Sequence, residues 1–524
     1  MRQEDVKQVL EQYPTLRNKL FARGFFFTDA AVDEEAYPFY GIWKKNSIAG
    51  YHLLVAPGQQ YFISTADACS MILVGHAYNP FSMQSDENVI LLSLQEALRD
   101  GEELFWNELG DLTGVFTLIW MKDGRVYVAG DATGMQTTFY TVMNQQTYVA
   151  SHTNLLGDIL SLSWDPYVKE LSSYRFFGLL GNSLPGNLTQ FAEVKRLIPN
   201  HYLVIDETKT EKVKRFYQPE ILPKKTDEIV DEASVILQAN LKLISEKWEK
   251  PGISMTGGCD SKTTLACADG LYDKFSYFSY TSSESEEVDA IAAGDICKEL
   301  GLKHKVYRIP LDDEPELLEA TKTILQWNNG DIRPNNKNDV RKRLYFADIK
   351  DFDVEVKSWA SEVGRAYYSK RFHGRTNFGQ KPTPRACTTL YKFFFHNRKL
   401  VKKTDAVFAD YLSRYFVQAK ENPLPWQEQF FWEFRVPSWN GMVITGEHRY
   451  SFDITIPYNN RKLLALLLSA PIEQRIRDEV YTAIRKRMNP KIDETGISVT
   501  NLKHTENREK AENIYYFVHS KIPF

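Results

Sequence analysis

Cysteine is scarce in this chain. The five cysteines, at positions 69, 259, 267, 297 and 387, form no Cys-x-x-Cys pair. That argues against a zinc or iron–sulfur site and fits a reducing cytoplasm, the location expected here. No apolar run approaches the length of a membrane span. Neither sign of charge dominates: a net charge of −4 over 524 residues argues against a chain built to coat nucleic acid, although local basic clusters can still hold phosphates. Met1 to Leu20 is polar and mixed in charge, which fits neither a signal peptide nor a transit peptide. Also missing is a G-x-x-x-x-G-K-[ST] run after a strand, so the P-loop of kinases and GTPases is excluded. What remains is ordinary globular composition, 43% hydrophobic and 25% charged, enough for about two to four domains.

The most informative segment is Ile253-Ser254-Met255-Thr256-Gly257-Gly258-Cys259-Asp260-Ser261-Lys262-Thr263-Thr264-Leu265. It reads as a strand, a turn rich in glycine and hydroxyls, and a helix start. The glycines let backbone approach a ligand closely. The amides that follow sit at a helix N-terminus, where unpaired N–H groups and the dipole favour an anion. Thr256 and Ser261 add hydroxyl donors, and Asp260 is placed to hold magnesium. A polyphosphate is the natural occupant.

The order T-G-G-x-D-S resembles the pyrophosphate loop of the N-type ATP pyrophosphatases, S-G-G-x-D-S, with Thr256 in place of the first serine. The resemblance implies cleavage of ATP between its α and β phosphates, leaving adenylate on the substrate. Downstream, Phe275 to Thr281 reads as a strand whose end, near Tyr280, would face an adenine. Glu286-Glu287-Val288-Asp289 opens a helix similar to an acidic stretch of asparagine synthetases, with Asp289 nearest the acidic position. Asp353 to Trp359 alternates as a strand should. Behind it, Ala360-Ser361-Glu362-Val363-Gly364-Arg365 stands where asparagine and β-lactam synthetases carry Gly-Glu-Gly-x-Asp-Glu. Glu362 matches, but Arg365 replaces the aspartate that shares magnesium with the loop. The magnesium count is therefore open. Arg365 either holds a phosphate or carboxylate bidentately or is a solvated helix residue. Asn328 to Arg343 reads equally as a bland polar loop and as a lid whose arginines face leaving pyrophosphate. The basic run Lys392 to Lys403 reads as a partly buried helix. Near Pro457-Tyr458, Asn460 replaces the family's aspartate, and Arg477 falls closest to its catalytic lysine, with Arg475, Arg485 and Lys486 as rivals.

The front of the chain begins with an amphipathic helix over residues 1–20, carried by Val6, Leu10, Leu16 and Leu20. Strands follow at Gly24 to Phe27, Tyr51 to Val55 and Met71 to Val74, then a helix over Leu92 to Leu104 and a hairpin turning at Asp123-Gly124. Leu112 to Phe116, Gly130 to Tyr140, Ala150 to Leu156 and Val194 to His201 together resemble the class II glutamine amidotransferase domain at the front of asparagine synthetases. That family uses an N-terminal cysteine as nucleophile. Here position 2 is Arg2 and the first cysteine is Cys69, so no glutamine hydrolysis is expected and the front domain reads as a structural or docking partner.

The resemblance implies a two-domain α/β and α+β protein. An N-terminal Ntn-hydrolase-like αββα sandwich over 21–218 follows the 1–20 extension. A linker near Tyr217 to Lys225 leads to a doubly wound parallel α/β ATP pyrophosphatase domain with a helical tail over 225–524. The activity expected is ATP-dependent carbon–nitrogen ligation with ATP and Mg2+. Ser254, Thr256, Gly257, Gly258, Cys259, Asp260, Ser261, Lys262 and Tyr280 would hold nucleotide, Asp260 the metal, and Arg477, Glu362 and Arg365 would serve catalysis. The partners implied are a small-molecule or peptide carboxylate and an amine or ammonia, with a homodimer as the assembly and neither membrane nor nucleic acid. Two alternatives stand beside it: activation of an oxygen that is not a carboxylate, and a degenerate nucleotide-binding protein.

Overall fold

A computed structural model describes residues 2–66, 68–178, 181–311, 314–332, 335–372, 381–391, 397–416 and 424–496, with 514 and 518. Arg333 of the expected lid, residues 392–396 of the basic run and most of the tail beyond 496 lie outside the described residues. The chain is mixed α/β, with two antiparallel sheets and one parallel sheet.

The first antiparallel sheet runs, edge to edge, Lys195–Arg196, Phe139–Met143, Gln146–Ala150, Phe25–Thr28, Tyr51–Val55 and Lys44–Ile48. The second runs Glu211–Arg215, His201–Ile205, Arg125–Gly130, Thr113–Lys122, Cys69–Tyr78 and Tyr61–Ala66. Strand side chains alternate between faces. Phe25 and Phe27 accordingly enter the core between the sheets, with Leu53, Ile72, Val74, Ile119 and Val128. Phe26 points the other way, toward helices. Helices Glu87–Asp100 and Glu102–Asp111 cover the outer face of the second sheet through Ile90, Leu94, Phe105 and Leu109. One helix was expected over Leu92 to Leu104; the chain instead breaks at Gly101, which caps the first and starts the second.

The N-terminal helix spans Gln3–Gln12 and gives way to a 3-10 turn, Pro14–Lys19, because proline cannot donate within a continuing helix. Val6, Leu10, Leu16 and Leu20 join Leu318, Ile324 and Leu325 of helix Pro315–Asn328 in covering the first sheet. Asn328 fastens this arm: its Oδ1 accepts from Phe21 N at 2.7 Å and its Nδ2 donates to Lys19 O at 2.9 Å.

The parallel sheet has the order His304–Arg308, Ser276–Thr281, Pro251–Ser254, Val354–Val356, Asp453–Thr455. The chain starts at Pro251–Ser254, winds outward to one edge, then returns to the opposite side at Val354–Val356. This reversal opens a crevice beyond the carboxyl ends of those two strands, the place where sheets of this kind bind ligands. Gly252 makes room for close packing at the start of the first strand: a Cβ would come within 3.0 Å of Phe278 and 3.1 Å of Phe352, whose rings stack 4.5 Å apart.

The antiparallel and parallel parts share a polar seam. Glu433 accepts from Arg215 Nη1 at 2.6 Å and Nη2 at 2.7 Å, and from Asn200 and Gln429 at 3.0 Å each. Asn459 Nδ2 donates to Asp131 Oδ1 at 2.9 Å, and Arg461 Nη2 donates to Asp131 O at 3.0 Å. Asn460, where the resembled family has an aspartate, caps helix Arg461–Leu468 by accepting from Leu463 N and donates to Asp111 O at 2.7 Å. An aspartate there could cap but not donate, so the amide serves the seam.

Candidate functional site

Strand Pro251–Ser254 ends in the turn Met255 to Gly258, and helix Cys259–Cys267 begins directly after it. Met255 N donates to Phe278 O at 2.7 Å, which ties the turn to the neighbouring strand. Ser261 Oγ donates to Thr256 O at 2.8 Å and lies 2.9 Å from Thr256 Oγ1, while Gly258 N donates to Thr256 Oγ1 at 3.2 Å. The hydroxyls thus pre-shape the turn. Gly258 has an ordinary negative φ, and a Cβ there would meet only Thr256 Oγ1, at 3.2 Å. Glycine is therefore not needed for conformation at this position. Its absent side chain leaves backbone accessible to a ligand.

The turn opens onto a pocket of about 310 Å3 at the sheet crevice. Ser254, Thr256, Asp260, Ser261, Tyr280 and Glu362, six of the residues singled out by sequence, line it. Asp260 Oδ2 accepts from Arg365 Nη1 at 2.5 Å, while Asp260 Oδ1 and Glu362 Oε2 are buried without a hydrogen-bond partner among the described residues. Burial first, and the charge of Asp260 second, push the Glu362 carboxyl up to about 7. Two orphaned carboxylate oxygens at a phosphate-shaped turn are a donor set that suits a hard divalent cation completed by phosphate oxygens and water.

Arg365 is not a solvated helix residue. It lies in the 3-10 turn Ser361–Arg365, and its Nε and Nη2 donate to Asp478 Oδ1 and Oδ2 at 2.9 and 2.8 Å. Burial alone would lower its pKa, but the bonds to Asp478 and the charge of Asp260 hold it above the usual value. Lys370 also donates to Asp478.

Three expected residues lie elsewhere. Lys262 is buried, its ammonium 3.9 Å from Asp493, and does not line the pocket. Cys259 Sγ accepts from Arg485 Nη1 at 3.2 Å, on the flank of the loop helix. Arg477 is not brought to the loop: its side chain is 60% exposed and pairs with Glu479 at 2.6 Å. It falls after the short helix Ile472–Ile476, on the outer side of the chain's turn into helix Glu479–Met488. Of its rivals, Arg475 is buried against Glu428 at 3.0 Å and Lys486 is exposed. Arg485 alone reaches the loop helix, donating to Thr263 Oγ1 at 3.1 Å and to Asp493 at 2.8 Å.

The pocket also holds a cation that sequence reasoning missed. Lys357 follows strand Val354–Val356, the parallel neighbour of Pro251–Ser254, and lines the pocket. Its ammonium donates to buried Glu355 at 2.7 Å and stands over the rings of Tyr280 (5.9 Å) and Trp359 (5.1 Å). Burial pulls its pKa down, but Glu355 and then Tyr280 outweigh that and hold it above the usual lysine range. Its position at the carboxyl end of a parallel strand was the available signal. Behind the lining residues, Lys342 pairs with Glu286 and its ammonium lies 5.6 Å over Tyr280. It sits on helix Lys337–Ala347, which forms within the stretch read as a loop or lid and is capped by Asn336.

No family model matches the chain, and no curated protein matches it. Among solved structures it is similar to the glutamine phosphoribosylpyrophosphate amidotransferase from B. subtilis complexed with ADP and GMP, at 14% identity over 52% of this chain and 62% of that one, TM-score 0.24. A structure described as the allosteric regulatory enzyme of purine biosynthesis is similar at 13% identity over 52% and 62%, TM-score 0.25. The glutamine-dependent NAD+ synthetase from Acinetobacter baumannii in complex with ADP is similar at 10% identity over 63% and 85%, TM-score 0.21. The chain spans about 62% of the length of the first two. Scores of this size assign neither a family nor a function. No helix among the described residues is long and apolar enough to cross a membrane.

Proposed function

We propose that this chain is an ATP-dependent ligase that cleaves ATP between its α and β phosphates and joins a carboxylate to an amine. The observation that supports the reading is the hydroxyl-shaped turn at 255–258, which opens onto a 310 Å3 pocket at the reversal of the parallel sheet. In this reading the turn amides, Thr256 and Ser261 face the outer phosphates, and Tyr280 flanks the base or ribose. Asp260 Oδ1 and Glu362 Oε2 would hold magnesium, which when bound neutralises phosphate charge.

A substrate carboxylate oxygen attacks the α phosphorus. The new O–P bond forms as the bond to the bridging oxygen breaks, and pyrophosphate leaves with that electron pair. An amine nitrogen then attacks the acyl carbon, the carbon–oxygen bond to AMP breaks, and the proton lost from nitrogen goes to solvent. Lys357, rather than Arg477, is the cation placed to balance charge developing at the α phosphorus, because it lines the pocket and Arg477 does not. Cys69, the first cysteine, is a buried strand residue, so the nitrogen is taken to come from an amine or ammonia and not from glutamine hydrolysed here.

The test is pyrophosphate release from ATP in the presence of panels of amino-acid and peptide carboxylates, with and without added amines. Carboxylate-dependent pyrophosphate with equal AMP supports the reading. Release driven only by hydroxyl or carbonyl compounds would move it to another acceptor, and none with any acceptor, with nucleotide still bound, would favour a binding protein.

A further inference from the structure

Asp260 is the acidic residue of the turn, and its two oxygens have different fates. Oδ2 is closed by Arg365 at 2.5 Å, whereas Oδ1, like Oε2 of Glu362 on the same pocket, is buried without a hydrogen-bond partner among the described residues. A carboxylate that bridges two metal ions with one oxygen on each needs both oxygens free. Here a guanidinium already occupies one side.

That guanidinium is held from behind. Asp478 grips Arg365 through two bonds at 2.8 and 2.9 Å and is itself bound by Lys370. The backbone around this clamp is constrained: Ala360 (φ 69°), Ala366 (φ 51°) and Asp478 (φ 57°) are left-handed without being glycine. Such a backbone is strained for a residue with a Cβ and persists only where packing over-determines it. Ala360 and Ala366 are fully buried, and they bracket the five-residue turn that carries both Glu362 and Arg365. One strained turn thus carries both Glu362, which lines the pocket with Asp260, and the guanidinium that closes Asp260 Oδ2.

We infer that Arg365 takes the place of a second divalent ion, so that this site binds ATP with a single metal, held at Asp260 Oδ1 and Glu362 Oε2. The inference rests on the reading of the pocket as an ATP site. A guanidinium supplies one positive charge and planar donors where a second metal would supply two charges and open coordination positions. Unlike a metal, it cannot be removed by a chelator.

Manganese counting tests this. The full-length protein would be loaded with Mn2+ and the α,β-methylene analogue of ATP, and bound metal measured by equilibrium dialysis and by electron paramagnetic resonance. The expected result is one Mn2+ per bound analogue, with no spin coupling of the kind given by ions about 4 Å apart. Arg365→Ala, which frees Asp260 Oδ2, should bind two, and Arg365→Lys should stay at one. Two coupled ions in the unaltered protein would overturn the single-metal site, and one ion in Arg365→Ala that still binds the analogue would overturn the replacement of a second ion by Arg365; either leaves the ATP reading intact. Failure of the unaltered protein to bind the analogue would instead overturn the ATP reading, and this inference with it. If Arg365→Ala does not fold, the count in the unaltered protein and in Arg365→Lys still decides.

Discussion

Replacing Glu433 by glutamine removes one charge from the seam and keeps the shape of the side chain. Glu433 is fully buried and accepts four hydrogen bonds, two of them from the Arg215 guanidinium at 2.6 and 2.7 Å. The variant leaves the largely buried Arg215 without its counter-charge, and one of its former acceptor sites becomes an NH2 pointing at donors. Breaking one side of such a pair costs about 3–5 kcal/mol, whereas removing both partners in favour of apolar groups is often close to neutral. The single variant Glu433→Gln should therefore lose more stability than the double variant Glu433→Leu/Arg215→Met. Urea denaturation followed by tryptophan fluorescence reads the difference as midpoint shifts at equal slope, since Trp432 lies beside Glu433 in the same buried helical segment. Burial raises the Glu433 carboxyl, but Arg215 outweighs it and holds the group below its ordinary range. The folded value is depressed, so the pair's contribution is complete above the unfolded carboxylate pKa and disappears as pH falls through the lower folded value. A single variant within about 1 kcal/mol of the unaltered protein, or a double variant equal to the sum of the singles, would refute the reasoning.

Further expectations follow from other sites. Asp158, half-buried and bonded to Tyr37 at 2.6 Å and Trp327 at 2.9 Å, has its carboxyl raised by burial to about 7. Its folded value lies above the unfolded one, so its charge destabilises as pH rises from about 4 to 7; Asp158→Asn should stabilise by on the order of 1–2 kcal/mol at pH 8 and by little at pH 4, read by thermal melting. Arg485→Ala should weaken nucleotide-analogue binding several-fold by loosening the loop helix, while Arg477→Ala should leave it unchanged; equal effects in a fluorescence titration would contradict the placement of these two cations. Lys357→Met should lower the turnover of the adenylation step by about 10²–10³ with analogue affinity changed far less, and an unchanged rate would remove Lys357 from the proposed mechanism.

What could be read in advance was local. The segment Ile253 to Leu265 carries strand, turn and helix signals within thirteen residues, and the structure has a strand, a turn and a helix there. The same holds for the hairpin at Asp123-Gly124. Where a position depends on distant packing, spacing failed. Arg477 and Arg485 are both plausible by helical arithmetic, but the left-handed Asp478 turns the chain between them and only Arg485 faces the loop. Lys357 looked like one polar residue in an alternating strand; its role at the pocket depends on Glu355, Tyr280 and Trp359 converging around it. Arg365 was legible as a departure from a pattern, but its bonds to Asp260 and Asp478 bridge residues more than a hundred positions away. Asn460 likewise read as a lost aspartate and proves to be a helix cap that also crosslinks the seam.

Isotope transfer tests the central claim most directly. A carboxylate substrate identified by pyrophosphate release would be labelled with oxygen-18 in both carboxyl oxygens and turned over to amide, and the released AMP analysed by mass spectrometry. Adenylation predicts one labelled oxygen in the phosphate of AMP for every amide formed. Label in inorganic phosphate with ADP as the nucleotide product, or amide formed with unlabelled AMP, would contradict attack of the carboxylate on the α phosphorus.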